Sequence, residues 1–140
     1  MEKEKQYKPY KSYGDRSRTP IEALDIKKEM CSLADYDIET QKEWLGKNTK
    51  YYTELPLNGT ITIFRAVPKY VNKIRSGDYV TQSYKYAQNH LEQVLNGEGK
   101  ILTKKVKLNE LYPVNINEFW FISINLEKEL EEIEKWTKEN

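Results

Sequence analysis

At Thr60 the apolar residues of this 140-residue chain change period, and that change restricts the fold more than any other feature of the sequence. Upstream, Ile21, Leu24, Lys28 and Cys31 recur at the spacing of one helix face. From Thr60 the period drops to two, with Ile61, Ile63 and Arg65 alternating against Thr62 and Phe64, as a strand with one buried face requires. Helices followed by a strand-rich half predict an α+β fold. Arg65 shares the parity of the core side chains at the strand's end, where a charged group needs an anionic partner or a cleft.

The helical half has well-marked ends. Thr19 as N-cap, Pro20 at the first helical position and Glu22 three residues after the cap predict a helix over 20–33. Its apolar face would carry Cys31 as a buried thiol. Asp37 can cap a second helix over 38–45 that ends near Gly46, with Trp44 and Leu45 as core anchors. Residues 47–58 form a loop with aromatic content.

Beyond the first strand, Ser76-Gly77-Asp78 predicts a tight turn and residues 79–81 a short strand. Ser83 can cap a helix carrying Tyr84, Ala87, Leu91, Val94 and Leu95, which Asn96-Gly97 would end. Residues 100–108 predict a strand with Leu102, Val106 and Leu108 inward. Residues 109–113 look like a capped single turn. Residues 118–124 are the most apolar strand and are expected at the centre of a sheet. A last helix, over 126–137, presents Leu130, Ile133 and Trp136 as a narrow stripe.

Residues 2–18 carry six Lys or Arg against three acids, with Tyr7, Tyr10 and Tyr13 and no apolar period. The expected organisation is therefore a flexible basic tail over 1–18 and a single domain over 19–140, with its motif core at 60–124. Basic residues interleaved with tyrosines suit a solvated tail, or a grip on single-stranded nucleic acid or an acidic partner.

Several function classes lose their basis. A formal net charge of +1 gives no whole-chain attraction for nucleic acid or membrane. No apolar run approaches the roughly eighteen residues needed to span a bilayer, and residues 1–5 lack the apolar core of a signal peptide, so a non-exported, cytoplasmic protein without membrane partners is expected. One cysteine and one histidine cannot build a zinc site, and no phosphate-binding glycine pattern opens a helix. No Gly-x-Ser-x-Gly elbow accompanies His90.

What remains is Arg65, the hydroxyls of Thr81 and Ser83, and Glu118, each at a strand or strand end. A guanidinium is permanently charged and makes forked hydrogen bonds, which suit a diphosphate. A carboxylate accepting a hydrogen bond from a ribose hydroxyl can stabilise positive charge that develops on the sugar as a glycosidic bond breaks. Each residue also has a plainer role. Arg65 can pair with an acid such as Asp78, Ser83 can simply cap its helix, Glu118 can start an exposed strand, and Tyr86 and His90 can be packing residues.

Four phrases in order resemble the R-S-E class of mono-ADP-ribosyltransferases, and most closely the compact ADP-ribosyltransferase-like domains of phages and other mobile elements. They are Ile63-Phe64-Arg65-Ala66-Val67-Pro68, Ser76-Gly77-Asp78-Tyr79-Val80-Thr81-Gln82-Ser83 with Tyr86-Ala87 and His90 after it, Lys104-Lys105-Val106, and Asn117-Glu118-Phe119. The resemblance implies a small split β-sheet core with N-terminal helices and a C-terminal helix. It also implies that Arg65 binds NAD, that Thr81 and Ser83 stand at the first and last positions of a Ser-Thr-Ser motif, that Tyr86 packs beside the nicotinamide, and that Glu118 is catalytic. NAD would be cleaved as a substrate and ADP-ribose passed to a host protein or nucleic acid. Ile116 stands where arginine- and asparagine-modifying members carry Glu or Gln, which leaves the acceptor open. The same sequence is compatible with a non-catalytic protein that inhibits a host defence complex, or with a toxin-like NAD hydrolase.

Overall fold

The computed structural model describes residues 16–139, and among them five antiparallel strands form two small sheets accompanied by four α-helices. The α+β reading holds at that level. Strand β1 (Thr60–Val67) pairs along its whole length with β3 (Lys100–Lys107), from Thr60 opposite Lys107 to Val67 opposite Lys100. In the second sheet β5 (Glu118–Phe121) lies between β2 (Tyr79–Val80) and β4 (Leu111–Asn115), the central place expected of the most apolar strand. A single bridge joins the two sheets: the Phe64 amide donates to the Thr81 carbonyl at 2.7 Å, and the Thr81 amide returns the bond at 3.0 Å.

The alternation in β1 is the reason this arrangement buries a core. Ile61, Ile63, Arg65 and Val67 all point inward. Ile61 and Ile63 meet Val80, Val106, Leu111, Phe119 and Phe121 from the other strands, and Leu33 and Leu45 from the helical half. A second cluster, of Ala23, Tyr112, Ile122 and Leu126, seats helices α1 (Pro20–Glu29) and α4 (Leu126–Glu139) beside β4. Each fully buried large side chain contributes about 1.5–3 kcal/mol.

Helix α1 begins with the expected reciprocal cap between Thr19 and Glu22, at 3.0 and 3.2 Å, but stops at Glu29. Met30 adopts extended backbone, and a separate 3-10 turn follows at Leu33–Asp35. The Asp35 carboxylate accepts from the Ser32 amide at 3.2 Å, a local bond that competes with continued helix. The break drops Leu33 into the core and leaves Cys31 exposed, so the buried-thiol expectation is corrected. Helix α2 (Ile38–Trp44) has the Asp37 cap, with Thr40 N donating at 2.7 Å, and Leu45 is fully buried after it.

The turn expected at 109–113 is a 3-10 turn at Leu108–Glu110 that runs directly into β4. Pro113 suggested a turn, yet proline is tolerated on an edge strand, and β4 is an edge with an irregularity after Pro113. Strand β5 ends at Phe121, short of 124, and α4 runs on to Glu139. Helix α3 (Tyr84–Gln93) starts at its Ser83 cap and stops before Val94.

Arg16, Ser17 and Arg18 are docked rather than loose. Ser17 Oγ accepts from the Tyr79 amide at 2.9 Å, the Arg18 amide donates to the Gly77 carbonyl at 2.7 Å, and Trp120 Nε1 donates to the Arg16 carbonyl at 2.9 Å. Gly77, at φ +96°, makes this possible, because a Cβ there would lie 2.2 Å from the Arg18 carbonyl oxygen. The rest of the expected tail, 1–15, lies outside the described residues. No helix among the described residues is long and apolar enough to cross a membrane.

Asp78 ties the turn before β2 to β1. Its carboxylate lies 3.5 Å from Arg65 Nε and 3.4 Å from Arg75 Nε, accepts from the Arg75 amide at 3.0 Å, and is shielded from water as both arginines are. Asp78→Ala strands two desolvated guanidinium groups and is expected to lower stability by about 3–5 kcal/mol, read from urea unfolding, with Asp78→Asn intermediate.

Candidate functional site

Beside the single bridge between the sheets lies a cleft of about 560 Å³. Strand β1 supplies Phe64, Arg65 and Ala66 to its wall. Tyr79, Val80 and Thr81 come from β2 and the residue after it, Tyr86, Ala87 and His90 from α3, Glu118 from the start of β5, and Arg16 from the docked N-terminal segment. Of the residues singled out in the sequence, Arg65, Thr81, Tyr86 and Glu118 therefore meet in one cleft. Ser83 is not among its lining residues. The Ser83 hydroxyl accepts from the Tyr86 amide at 3.1 Å and serves as the cap of α3. Ile116 sits on the β4–β5 turn, half exposed and outside the lining.

Glu118 is positioned by the turn before it. Asn117 takes left-handed backbone at φ +68°, and its amide donates to the Trp44 carbonyl at 2.9 Å. Its side-chain oxygen accepts from Gln82 Nε2 at 2.6 Å, while the same Gln82 nitrogen donates to the Leu45 carbonyl at 2.9 Å. Gln82 and Asn117 are both buried. The end of α2, the turn into α3 and the turn into β5 are thus joined through two side-chain amides. Gly46 leaves room for the arrangement, since a Cβ there would come within 2.5 Å of Asn117 Oδ1.

Tyr86 donates its hydroxyl to Glu118 Oε1 at 2.7 Å. Its ring meets Tyr51 edge-on, with centroids 5.4 Å apart, and the Tyr51 hydroxyl accepts from Asn89 Nδ2 at 2.6 Å. The aromatic loop between α2 and β1 therefore braces the phenol that orients the carboxylate. Burial first, and then the hydrogen bond to Glu118, push the Tyr86 phenol well above its ordinary range. Tyr79 is raised as well, chiefly by burial, with the nearby Glu118 charge adding to it. Its buried hydroxyl feels that carboxylate but closes no hydrogen bond among the described residues.

Arg65 lines the cleft but is only 5% exposed. One Nη donates to the Tyr79 carbonyl at 2.8 Å, and Nε faces Asp78. The acid partner foreseen for it in the sequence is the one it has. Thr81 Oγ1 accepts from the Ser83 amide at 3.2 Å, which fixes the strand-to-helix turn.

Sequence reasoning missed Arg16 and Tyr79. Tyr79 shares the parity of Thr81 on a short strand, a signal that was available. Arg16 reaches the cleft through a bond to Trp120, 104 positions away, which no local pattern encodes. Comparison with protein-family models, with curated proteins and with solved structures finds no match to this chain.

The Tyr86–Glu118 bond sets a testable balance. Tyr86→Phe is expected to cost about 1 kcal/mol at neutral pH, a charge-assisted hydrogen bond discounted for its partial exposure. Because the folded phenol titrates above its unfolded value of 10.0, the linked stability is intact below that pH and is lost as pH rises through the folded value. Urea unfolding across the alkaline range should show a shallower decline for Tyr86→Phe than for the wild-type protein.

Proposed function

We propose that the cleft binds NAD as a substrate and that the protein is a mono-ADP-ribosyltransferase, passing ADP-ribose to a host macromolecule and releasing nicotinamide. The observation that carries this reading is the convergence of Arg65, Thr81, Tyr86 and Glu118, from separate elements, on one cleft beside the bridge between two sheets. The order of these residues along the chain and the resemblance to the R-S-E transferases support the same reading. So does a fold in which β1 carries the arginine, the residue after β2 the hydroxyl and the start of β5 the glutamate.

In this mechanism Glu118 accepts a hydrogen bond from a hydroxyl of the nicotinamide-bearing ribose. The bond from the anomeric carbon to the pyridinium nitrogen breaks, and its electron pair leaves with neutral nicotinamide. Positive charge develops on the sugar and is stabilised by the fixed carboxylate. A nucleophile of the acceptor forms the new bond to the anomeric carbon and gives up its proton. Tyr86 holds one carboxylate oxygen in place and leaves the other to the substrate. Its ring also bounds the space where the nicotinamide would pack. A protein or nucleic-acid acceptor gives transfer; water in its place gives NAD hydrolysis.

The buried Arg65–Asp78 pair favours a second reading, a phage or mobile-element protein that keeps the cleft but works by occupying a host defence complex. Both readings place it in a bacterial host's cytoplasm, and one assay separates them. Purified protein is incubated with labelled NAD and a bacterial lysate, wild type beside Glu118→Gln. The expected result is release of nicotinamide with label on a discrete band, reduced about 100- to 1,000-fold in the variant while the thermal midpoint is unchanged. Release without a labelled band assigns hydrolysis. A folded wild-type protein that releases no nicotinamide overturns the enzymatic reading.

A further inference from the structure

We infer that Arg16, and not Arg65, grips the phosphate-bearing part of the ligand in the cleft. The inference rests on the NAD reading for the ligand's identity, but its argument is geometric. Arg65 is buried; one Nη donates to the Tyr79 carbonyl and Nε faces Asp78. A diphosphate that approached it would meet the Asp78 carboxylate behind the guanidinium, and the repulsion between like charges offsets much of the attraction. Arg65 is therefore a positioning residue: it fastens β1 to β2 and sets where Tyr79 and Thr81 stand.

Arg16 has the opposite character. Its side chain is exposed and lines the same cleft, beside Tyr79, Tyr86 and Glu118. The backbone that carries it is anchored three times, by Trp120 Nε1 on the Arg16 carbonyl, by Tyr79 on Ser17 Oγ and by Gly77 on the Arg18 amide. The Arg18 guanidinium lies over the Trp120 ring, 5.7 Å from its centroid, and adds a fourth hold. With the Asn115 amide turned to satisfy both of its neighbours, its oxygen accepts from Arg16 Nη1 at 2.8 Å and its nitrogen donates to the Val114 carbonyl at 3.2 Å. One donor of the fork is thereby fixed to β4, while the side chain lines the cleft beside Tyr79. A guanidinium held by its backbone and by one donor loses less freedom on binding an anion than a free side chain does, so more of its attraction appears as affinity.

The test is calorimetric titration with ADP-ribose at several salt concentrations, for wild type, Arg16→Ala, Arg16→Lys and Trp120→Phe. Arg16→Ala is expected to bind about tenfold or more weakly and to flatten the salt dependence, with an unchanged thermal midpoint because the side chain is exposed. Arg16→Lys keeps the salt dependence and part of the affinity. Trp120→Phe removes the anchor on the Arg16 carbonyl and falls between. The inference is overturned if Arg16→Ala binds as the wild type does, if Ala and Lys lose affinity equally with unchanged salt dependence, or if the wild-type protein binds no ADP-ribose. Its failure is separable from that of the transferase reading. Nicotinamide release that needs Glu118 but has an unchanged KM for NAD in Arg16→Ala sinks only the inference. ADP-ribose binding that needs Arg16 in a protein releasing no nicotinamide sinks only the transferase.

Discussion

A carboxylate enclosed with two guanidinium groups is the constraint on which the rest of this structure depends. Asp78, Arg65 and Arg75 are all shielded from water, so none can be left without compensation at an acceptable cost. Their geometry fixes the turn before β2 relative to β1, and that relation determines where the two sheets meet. Among the described residues the Phe64–Thr81 bridge joins the sheets through their backbones, and this ionic contact supplies a second joint. Hydrophobic contact alone would allow sliding; a paired charge does not, because displacement by an ångström or two exposes an unsatisfied donor to an apolar wall. The cleft is the space left between elements located in this way.

The amides of Gln82 and Asn117 do the same for the other side of the cleft. Neither residue was assigned a role in the sequence, yet they join the end of α2 to the turns that present α3 and Glu118. A buried amide that donates to a carbonyl and to a second amide specifies distance and direction together. The catalytic proposal for Glu118 thus depends on a layer of polar side chains behind it, and on Tyr51 and Tyr86 beside it.

Much of the fold was legible because its signals are local. The Thr19 and Asp37 caps, the alternation in β1 and the central place of β5 all follow from neighbours within a few residues. The misreadings share a cause. Helix α1 was drawn too long because Cys31 fits its apolar face, but Ser32 and Asp35 divert the backbone into a separate turn. Strand β4 was hidden by Pro113, which is compatible with an edge strand only once the sheet order is known. In the site, Arg65, Thr81, Tyr86 and Glu118 could be named because their order resembles that of the R-S-E transferases. The burial of Arg65 and the exposure of Arg16 beside the same cleft could not, because tertiary packing decides which guanidinium is removed from water.

The bond from Trp120 to the Arg16 carbonyl also has a consequence for the order of assembly. Residues 16–18 precede their anchor on β5 by more than a hundred positions, and the pairing of β1 with β3 can form before that anchor is made. On a ribosome the nascent chain therefore carries an unfinished cleft, with one wall waiting for its last strand. Closing so long a loop is entropically costly and is repaid only when β5 docks. The cleft thereby gains its last wall only once β5 is in place, a timing written into topology.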